Sequence, residues 1–170
     1  MKLNAKVEDV LNKQINAEFW SAYLYLSMSA YYQTLGLKGF ANWMKVQYQE
    51  ELSHANKIFD YVNERGGRVM LEPIAEVDTD WDGPLDTFAN TYEHECKVTE
   101  MINNCVEVAM EVKDHATVSM LQWFVNEQVE EESAALEIVE QLKLVGDSGQ
   151  AIYMMDKEFQ GRAFMDSTEE

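Results

Sequence analysis

The sequence contains few residues that interrupt helices, with two Pro and eight Gly among 170 residues. Proline removes a backbone donor and glycine costs helix stability, so their scarcity leaves room for long helices. Both prolines, Pro73 and Pro84, fall in the stretch 67–84, the one long segment without a helical pattern. A hydrophobic content of 46% with 11% aromatic residues indicates a folded globular domain. The composition therefore predicts an all-α chain.

Cysteine is scarce as well. Cys96 and Cys105 lie nine residues apart on one predicted helix, where they face opposite sides and cannot form a disulfide. Reduced thiols fit a reducing compartment. Residues 1–6 show no apolar signal segment, and no run of about 18 apolar residues occurs. We therefore expect a soluble cytoplasmic protein that does not enter a membrane.

Basic residues are also few, because 13 Lys and Arg stand against 31 Asp and Glu. The resulting net charge is −18 and the pI is about 4.4. Nucleic-acid phosphates require basic surfaces, so this balance argues against nucleic acid as a partner. Acidity suits a protein that handles cations, although it also serves solubility alone.

Apolar residues at alternating spacings of three and four indicate helices in a single domain over residues 1–170. Asn4 and Asp114 are suited to N-caps, and Pro84 to a first helical turn. The stretch 67–84 is long enough to run along the whole bundle, and we expect it to bring the second helical hairpin in from the same end as the first. The predicted elements are a four-helix bundle with helices at 5–35, 40–65, 85–113 and 115–145, a fifth helix at 148–160, and a frayed tail at 161–170.

The apolar stripe of each long helix is interrupted near its middle by a metal-ligand side chain. Glu51 and His54 are three residues apart, so both lie on one helix face and can bind the same cation. Burying them without a partner would cost several kcal/mol. A lone Glu-x-x-His is a weak signal that more often marks an exposed helix face. The interrupting residues are Glu18 in the first helix, Glu51 and His54 in the second, Glu95 in the third, and Gln128 and Glu131 in the fourth.

These interruptions repeat along the chain. Glu18 precedes Glu51 by 33 residues, and Glu95 precedes Gln128 by 33 residues. In each half a further ligand follows three residues later, His54 after Glu51 and Glu131 after Gln128. The regularity indicates two helical hairpins related by an approximate two-fold axis, which bring their ligands to one level of the bundle.

Five inward ligands predict a site for two cations, an arrangement already known from four-helix bundles that bind iron through carboxylates. We expect Glu18, Glu51 and His54 to hold one ion, and Glu95 and Glu131 the other, with Glu51 bridging. Four carboxylates and one imidazole favour Fe or Mn over Zn, and nearly neutralise two divalent cations. Because few protein ligands serve two metal ions, coordination positions remain open where O2 could bind. Two Fe(II) ions could then each give one electron to that O2.

Several neighbouring residues extend this hypothesis. Gln128 stands where the repeat would place a carboxylate, and a neutral amide there should hold the second metal less tightly and favour release. Tyr25, two helical turns after the first ligand, is a candidate hydrogen-bond or electron donor, or else a buried core residue. Trp123 is interpreted as a core residue, and His94 and His115 as surface or capping residues.

A third cation site is a further hypothesis. Glu50 precedes the inward Glu51, and Glu127 and Glu130 precede the inward Glu131. Such a run of carboxylates is usually a solvated helix face. The alternative is a more exposed third site, formed by Glu50, Glu127 and Glu130 between the dinuclear centre and the outer surface of the second and fourth helices.

Four segments resemble the ferroxidase motifs of prokaryotic non-haem ferritins. They read N-A-E at 16–18, Q-E-E-L-S-H at 49–54, Y-E-H-E at 92–95 and E-Q-V-E-E-E at 127–132, and the resemblance covers about residues 4–160. It implies a ferritin-like bundle in a homo-oligomeric cage of 24 subunits that oxidises Fe(II) with O2 or H2O2 and stores the ferric mineral. By position, it implies dinuclear iron ligands at Glu18, Glu51, His54, Glu95 and Glu131, a neighbouring glutamine at Gln128, and a third iron site at Glu50, Glu127 and Glu130.

Departures from related families narrow the interpretation. Bacterioferritins have a haem-binding Met where this chain has Leu52, and a second Glu-x-x-His where it has Gln128 to Glu131, so we expect no haem. Dps-type cages lack the fifth helix that is predicted here, so this chain fits them poorly. The main alternative is a rubrerythrin-like di-iron oxidase or peroxidase, but the chain has no Cys-x-x-Cys pair for electron delivery. A metal-free structural bundle would leave the five inward ionisable residues unexplained.

Overall fold

The computed structural model describes residues 2–169, and five α-helices account for most of that range. α1 packs along α2, α3 packs along α4, α1 also contacts α3, and α5 contacts α2. No helix in the described range carries an apolar stretch that could cross a bilayer. The helices are α1 (Ala5–Thr34), α2 (Lys38–Glu64), α3 (Gly83–Glu111), α4 (His115–Val145) and α5 (Gly149–Phe159), followed by a 3-10 turn at Ser167–Glu169. The predicted all-α four-helix bundle with a short fifth helix is confirmed.

The ends of the helices follow from local side-chain chemistry. Asn4 Oδ1 accepts a hydrogen bond from Lys6 N at 2.9 Å, and Asp114 Oδ1 accepts one from Thr117 N at 3.2 Å. Both bonds satisfy backbone donors that the first turn of a helix leaves free. After α1 the chain turns at Gly36, whose φ of +74° favours glycine.

The long connection between α2 and α3 lies along α1. Because this segment belongs to no sheet, its carbonyl groups need partners from elsewhere. Side chains spaced along one face of α1 donate hydrogen bonds to several of these carbonyl groups at 2.7–3.3 Å. The donors are Asn12, Asn16, Trp20, Ser27 and Tyr31.

The connection runs from the end where α1 begins to the end where α1 finishes. Leu3 N donates to Arg65 O at 3.1 Å at the first end, and Gly83 N donates to Tyr31 Oη at 3.0 Å at the other. The second hairpin therefore enters from the end opposite to the first, and the prediction of a common end is wrong. Since α2 has already returned the chain to its starting end, a connection as long as the bundle delivers α3 to the other end.

A buried carboxylate fixes α5 against the N-terminus of α2. Asp156 Oδ1 accepts hydrogen bonds from Gly39 N at 2.7 Å and from Phe40 N at 3.2 Å. These N–H groups lie at the positive end of the helix dipole. A Cβ on Gly39 would lie 1.6 Å from Asp156 O, so glycine is needed for this approach.

The segment after α5 lies against α2. Asn42 Nδ2 donates to the carbonyl oxygens of Phe159 and Arg162 at 3.0 and 2.9 Å, and Lys57 Nζ donates to Thr168 O at 2.5 Å. The expectation of a frayed tail did not anticipate these contacts. It rested on composition and on the position near the terminus, which do not reveal tertiary partners.

A layer of buried polar residues divides the apolar core into two clusters. One cluster lies near α5 and the other near the start of α1. In α3 the buried face includes Thr87 and Thr91, which are fully buried, whereas the apolar Leu85 in the first turn is 41% exposed. The polar layer contains Gln14, Glu18, Gln47, Glu51, His54, Glu95, Gln128 and Glu131.

Candidate metal centre

All four bundle helices contribute ionisable side chains to the polar layer. Glu18 comes from α1, Glu51 and His54 from α2, Glu95 from α3 and Glu131 from α4. Each of the five is at most 8% exposed. The three-residue spacing of Glu51 and His54 places both on the inward face of α2. All five side chains expected to point inward do so.

The tightest group consists of Glu18, Glu51 and His54. Each offers a ligand atom, and these atoms lie within 4.8 Å of one another, a criterion that no other such group meets within residues 2–169. Glu18 Oε1 accepts from Gln14 Nε2 at 2.8 Å, but Glu18 Oε2, Glu51 Oε2 and His54 Nε2 are buried without a hydrogen-bond partner. Each such atom costs about 1–3 kcal/mol, and more when charged. A cation among them would remove that cost.

Neutral donors orient Glu95 and Glu131. Tyr25 donates from its hydroxyl to Glu95 Oε1, and Gln128 Nε2 donates to Glu95 Oε2 at 3.2 Å. Gln47 Nε2 donates to Glu131 Oε2 at 2.5 Å. Hydrogen bonds of this kind fix the direction in which a carboxylate presents its remaining lone pairs. The layer therefore combines an unpartnered group on one side with oriented carboxylates on the other.

Three carboxyl groups of the layer, those of Glu51, Glu95 and Glu131, resist ionisation in the metal-free protein. Burial, followed by the charges of Glu95 and Glu18, raises the pKa of Glu51 well above its usual range. Burial raises the pKa of Glu95 to about 7, and burial together with the charge of Glu95 raises the pKa of Glu131 to about 8. These mutual effects require the carboxyl groups to lie near one another. Two divalent cations would supply the positive charge that the layer lacks.

Tyr25 is fully buried beside this layer. Burial, and then the charge of Glu95, raises the pKa of Tyr25 well above its usual range. The phenol therefore stays protonated and acts as a hydrogen-bond donor to Glu95. Its burial agrees with the core interpretation, and its contact with Glu95 agrees with the site interpretation.

The three residues of the predicted third site are not gathered in the same way. Glu50 Oε2 forms an ion pair with Arg162 Nη2 at 2.7 Å, Glu127 is half-buried and Glu130 is exposed. Burial raises the pKa of Glu50, the charge of Arg162 opposes this rise, and the charge of Glu127 adds to it. A cation between Glu50 and Glu127 would have to compete with Arg162.

The interpretation of His94 as a surface or capping residue is wrong. His94 is half-buried, its Nε2 lies 2.7 Å from Ser21 Oγ, and its ring packs against Trp20 and Tyr25 at centroid distances of 5.2 and 6.0 Å. Burial lowers its pKa to about 4, which keeps the ring neutral at pH 7. A residue at the edge of the buried face of a helix is not marked by the apolar spacing, so the burial of His94 could not be predicted from the sequence. His115, by contrast, is exposed at the start of α4.

Sequence reasoning missed two groups of residues that contact the ligands. Gln14 and Gln47 each lie one helical turn before a ligand, Glu18 and Glu51 respectively, and this spacing was the available signal. Arg162 lies in a segment without a periodic pattern. Only the tertiary structure shows that it reaches the site.

Comparison with known proteins places this geometry in a family. The family model for the ferritin-like domain matches residues 8–145. A bacterial non-heme ferritin from Bacteroides fragilis is 44% identical over 156 residues, which cover 92% of this chain and 97% of that protein. The chain belongs to the ferritin family. A bacterial non-heme ferritin from Staphylococcus aureus is 36% identical over 162 residues, covering 95% of this chain and 98% of that one.

Solved ferritin structures share the same fold. A closed form engineered from the Archaeoglobus fulgidus ferritin is 54% identical and superposes with a TM-score of 0.95 over 96% of this chain and 100% of that one. An open pore ferritin from the same archaeon, also 54% identical, gives a TM-score of 0.94 over 95% of this chain and 100% of that one. The resemblance to prokaryotic non-haem ferritins and the ferritin-like fold class are both confirmed.

Proposed function

We propose that this chain stores iron and oxidises Fe(II) with O2 at a di-iron centre inside each subunit. The observation that carries the proposal is the buried group of Glu18, Glu51 and His54, each of which offers a ligand atom within 4.8 Å of the other two. Each of the three also has a buried polar atom without a hydrogen-bond partner. Membership of the ferritin family supports iron storage in general. The bacterial relatives are named non-heme ferritins, which agrees with the absence of a haem-binding Met at Leu52.

The five buried ligands divide into two sets. Glu18, Glu51 and His54 hold one iron ion, Glu95 and Glu131 hold the other, and Glu51 bridges the two. The donor set is hard and mostly anionic, which favours iron over zinc and stabilises Fe(III) relative to Fe(II). Because few protein ligands serve two metals, open positions remain where a small oxidant can bind.

The reaction balances without an external electron donor. Each of two Fe(II) ions loses one electron, and O2 accepts both electrons together with two protons to leave as H2O2. H2O2 can serve as the oxidant in a further turn by accepting two more electrons. The Fe(III) ions then leave the ligands and join the stored ferric mineral. Tyr25 and Gln128 hold Glu95 in place through this cycle, since both donate hydrogen bonds to its carboxylate.

The remaining parts of the proposal concern assembly and location. We propose a cytoplasmic homo-oligomeric cage of 24 subunits with a third iron site at Glu50, Glu127 and Glu130. The archaeal relatives are described as open-pore and closed forms of ferritin. Both cysteines in the described range are free thiols, which agrees with a reducing compartment.

Sedimentation combined with an iron assay tests the proposed function. We expect the purified protein to sediment as a particle of about 24 subunits and to oxidise Fe(II) in air faster than the buffer alone. The particle should retain the ferric iron in solution. A dimer that reacts with peroxide but stores no iron would contradict storage and favour a rubrerythrin-like oxidase.

Replacing Gln128 with Glu should slow iron turnover. In the present protein Gln128 Nε2 donates to Glu95 Oε2 at 3.2 Å. Gln128 itself adds no carboxylate to the three proposed for the second metal, which are Glu95, Glu131 and the bridging Glu51. A carboxylate at this position would add a ligand, hold Fe(III) more tightly and delay its release, by roughly tenfold for each 1.4 kcal/mol of added binding.

Repeated additions of Fe(II) would show the effect, because later additions should be oxidised more slowly than the first. Gln122→Glu is the matched control, since Gln122 is exposed on the same helix. Equal rates for Gln128→Glu and the unmodified protein over successive additions would contradict the role given to Gln128.

A further inference from the structure

We propose that Arg162 is a tethered counter-ion for the third cation site. Its guanidinium takes the place beside Glu50 that a metal ion would occupy, so a cation binds there only when Arg162 leaves. This inference rests on the proposed function, because it assigns a role in cation binding to a residue outside the dinuclear centre. Arg162 is a positioning residue here, since it touches the ligands and not the reacting atoms.

Hydrogen bonds and a contact with an aromatic ring hold the guanidinium of Arg162 in place. Nη2 donates to Glu50 Oε2 and to Gln47 Oε1, each at 2.7 Å, and Nη1 donates to Trp43 O at 3.1 Å. The guanidinium carbon also lies 4.3 Å from the centroid of the Trp43 ring. A planar group with five N–H donors is suited to such simultaneous contacts, whereas a lysine could satisfy only part of them.

Glu50 and Arg162 form a partly buried pair. Their side chains are 19% and 26% exposed, so solvent screens the pair less than an ordinary surface salt bridge. Arg162 is one of three arginines in a chain with a net charge of −18. The positive charge of Arg162 therefore offsets the negative charge of Glu50, which the carboxylates of Glu127 and Glu131 would otherwise repel.

Gln47 transmits the position of Arg162 to the dinuclear centre. Its amide oxygen accepts from Arg162, and its amide nitrogen donates to Glu131 Oε2 at 2.5 Å. Gln47 is fully buried, so neither end has water as an alternative partner. Because Arg162 donates to the amide oxygen and the amide nitrogen donates to Glu131, the Gln47 amide has a single orientation. That orientation in turn fixes the direction of the Glu131 carboxylate.

A second contact holds the tail across the same flank of α2. Lys57 Nζ donates to Thr168 O at 2.5 Å and lies 4.7 Å from the centroid of the Trp123 ring, which packs edge-on against His54 at 5.4 Å. Beside this contact the tail and α2 line a cavity of about 680 Å³, with Phe164 on the tail side. To leave Glu50, the guanidinium must also give up its hydrogen bonds to Gln47 and Trp43, while Lys57 still holds the far end of the tail.

Calorimetric titration of the iron-free full-length protein with Co(II) tests the proposal without any redox reaction. The first two Co(II) ions per subunit should fill the dinuclear centre, and a third should bind more weakly at Glu50. Arg162→Gln should tighten the third binding event by roughly tenfold, because the competing cation is gone. The first two events should weaken, because the amide of Gln47 loses the donor that fixes its orientation toward Glu131.

Three further variants serve as comparisons. Arg162→Lys keeps a positive group on the tail and should restore most of the competition. Arg68→Gln removes the same charge from an exposed position and should leave the third event as it is in the unmodified protein. Glu50→Gln should abolish the third event in either background. A purely structural role for Arg162 would not separate these variants by their affinity for the third ion.

The result that would overturn the proposal is a third event that is no tighter in Arg162→Gln than in Arg68→Gln, or a third event missing from both. Hydrogen exchange gives an independent measurement, because the third Co(II) should increase deuterium uptake in residues 161–168. Unchanged or reduced uptake there would also overturn it. Failure of the proposed function would look different, since the first two Co(II) ions would then fail to bind to the unmodified protein.

Discussion

Replacing Glu51 with Gln should abolish tight binding at the dinuclear centre and at the same time stabilise the metal-free protein. Glu51 is 2% exposed, and burial together with the neighbouring carboxylates raises its pKa well above the usual range. The neutral amide removes that repulsion, so we expect the free energy of unfolding of the metal-free protein to rise by roughly 1–4 kcal/mol. The same change removes the bridging ligand.

The loss of function should be large. Removal of outer-shell partners of metal ligands typically costs about 10- to 100-fold in affinity or activity, so removal of a bridging ligand should lower the rate of Fe(II) oxidation by at least about 100-fold. Chemical denaturation of the metal-free protein and oxygen uptake on adding Fe(II) measure the two effects.

Glu64→Gln is the control for this variant, because Glu64 is exposed on the same helix and should change neither quantity. A metal-free Glu51→Gln protein that is less stable than the unmodified chain would show that Glu51 contributes to the fold in its own right. Together with an undiminished oxidation rate, that result would remove Glu51 from the centre.

The metal-free protein should lose stability as the pH rises from about 4.5 to about 8. Burial raises the pKa of Glu95 from 4.5 to about 7 and that of Glu131 from 4.5 to about 8. In this interval the folded protein binds more protons at these two groups than the unfolded chain does, so their contribution is fully present below about pH 4.5 and is lost as the pH passes the folded values. The expected decrease is on the order of several kcal/mol.

Metal binding should reverse this dependence. Ligand carboxylates must be deprotonated to bind a cation, so a protein loaded with Co(II) should gain stability over the same interval and release protons as it binds. Thermal unfolding at several pH values, in high salt to screen the net charge of −18, would measure both slopes.

The double variant Glu95→Gln, Glu131→Gln should flatten the slope of the metal-free protein, whereas the exposed pair Glu64→Gln, Glu130→Gln should leave it nearly unchanged. Equal slopes for both double variants would show that the pH dependence comes from the charge of the whole chain. Burial of the carboxyl groups without a cation would then not be what lowers the stability.

The helices and the ligands were predictable because both follow from local spacing. Capping residues, glycines and Pro84 placed each helix within about two residues of its observed ends, and the alternation of three and four residues placed Glu18, Glu51 and Glu95 on inward faces. A repeat of ligands in two halves of the chain is also a local pattern. None of this required knowledge of which helix meets which.

The remaining features depend on contacts between distant segments. The direction of the connection follows from its hydrogen bonds to α1, and the buried Asp156 follows from the approach of α5 to Gly39. His94 is half-buried, and the rings of Trp20 and Tyr25 from a distant part of the sequence pack against it. Arg162 reaches Glu50 across more than a hundred residues of sequence, and no periodic pattern reports such a contact.

A crystal of the iron-free protein soaked anaerobically in Fe(II) tests the central claim most directly. Anomalous scattering collected at the iron absorption edge should show two strong peaks in each subunit, one among Glu18, Glu51 and His54, and one between Glu95 and Glu131. Peaks confined to the surface, with these five side chains still free of metal, would contradict the dinuclear centre and the storage function proposed from it.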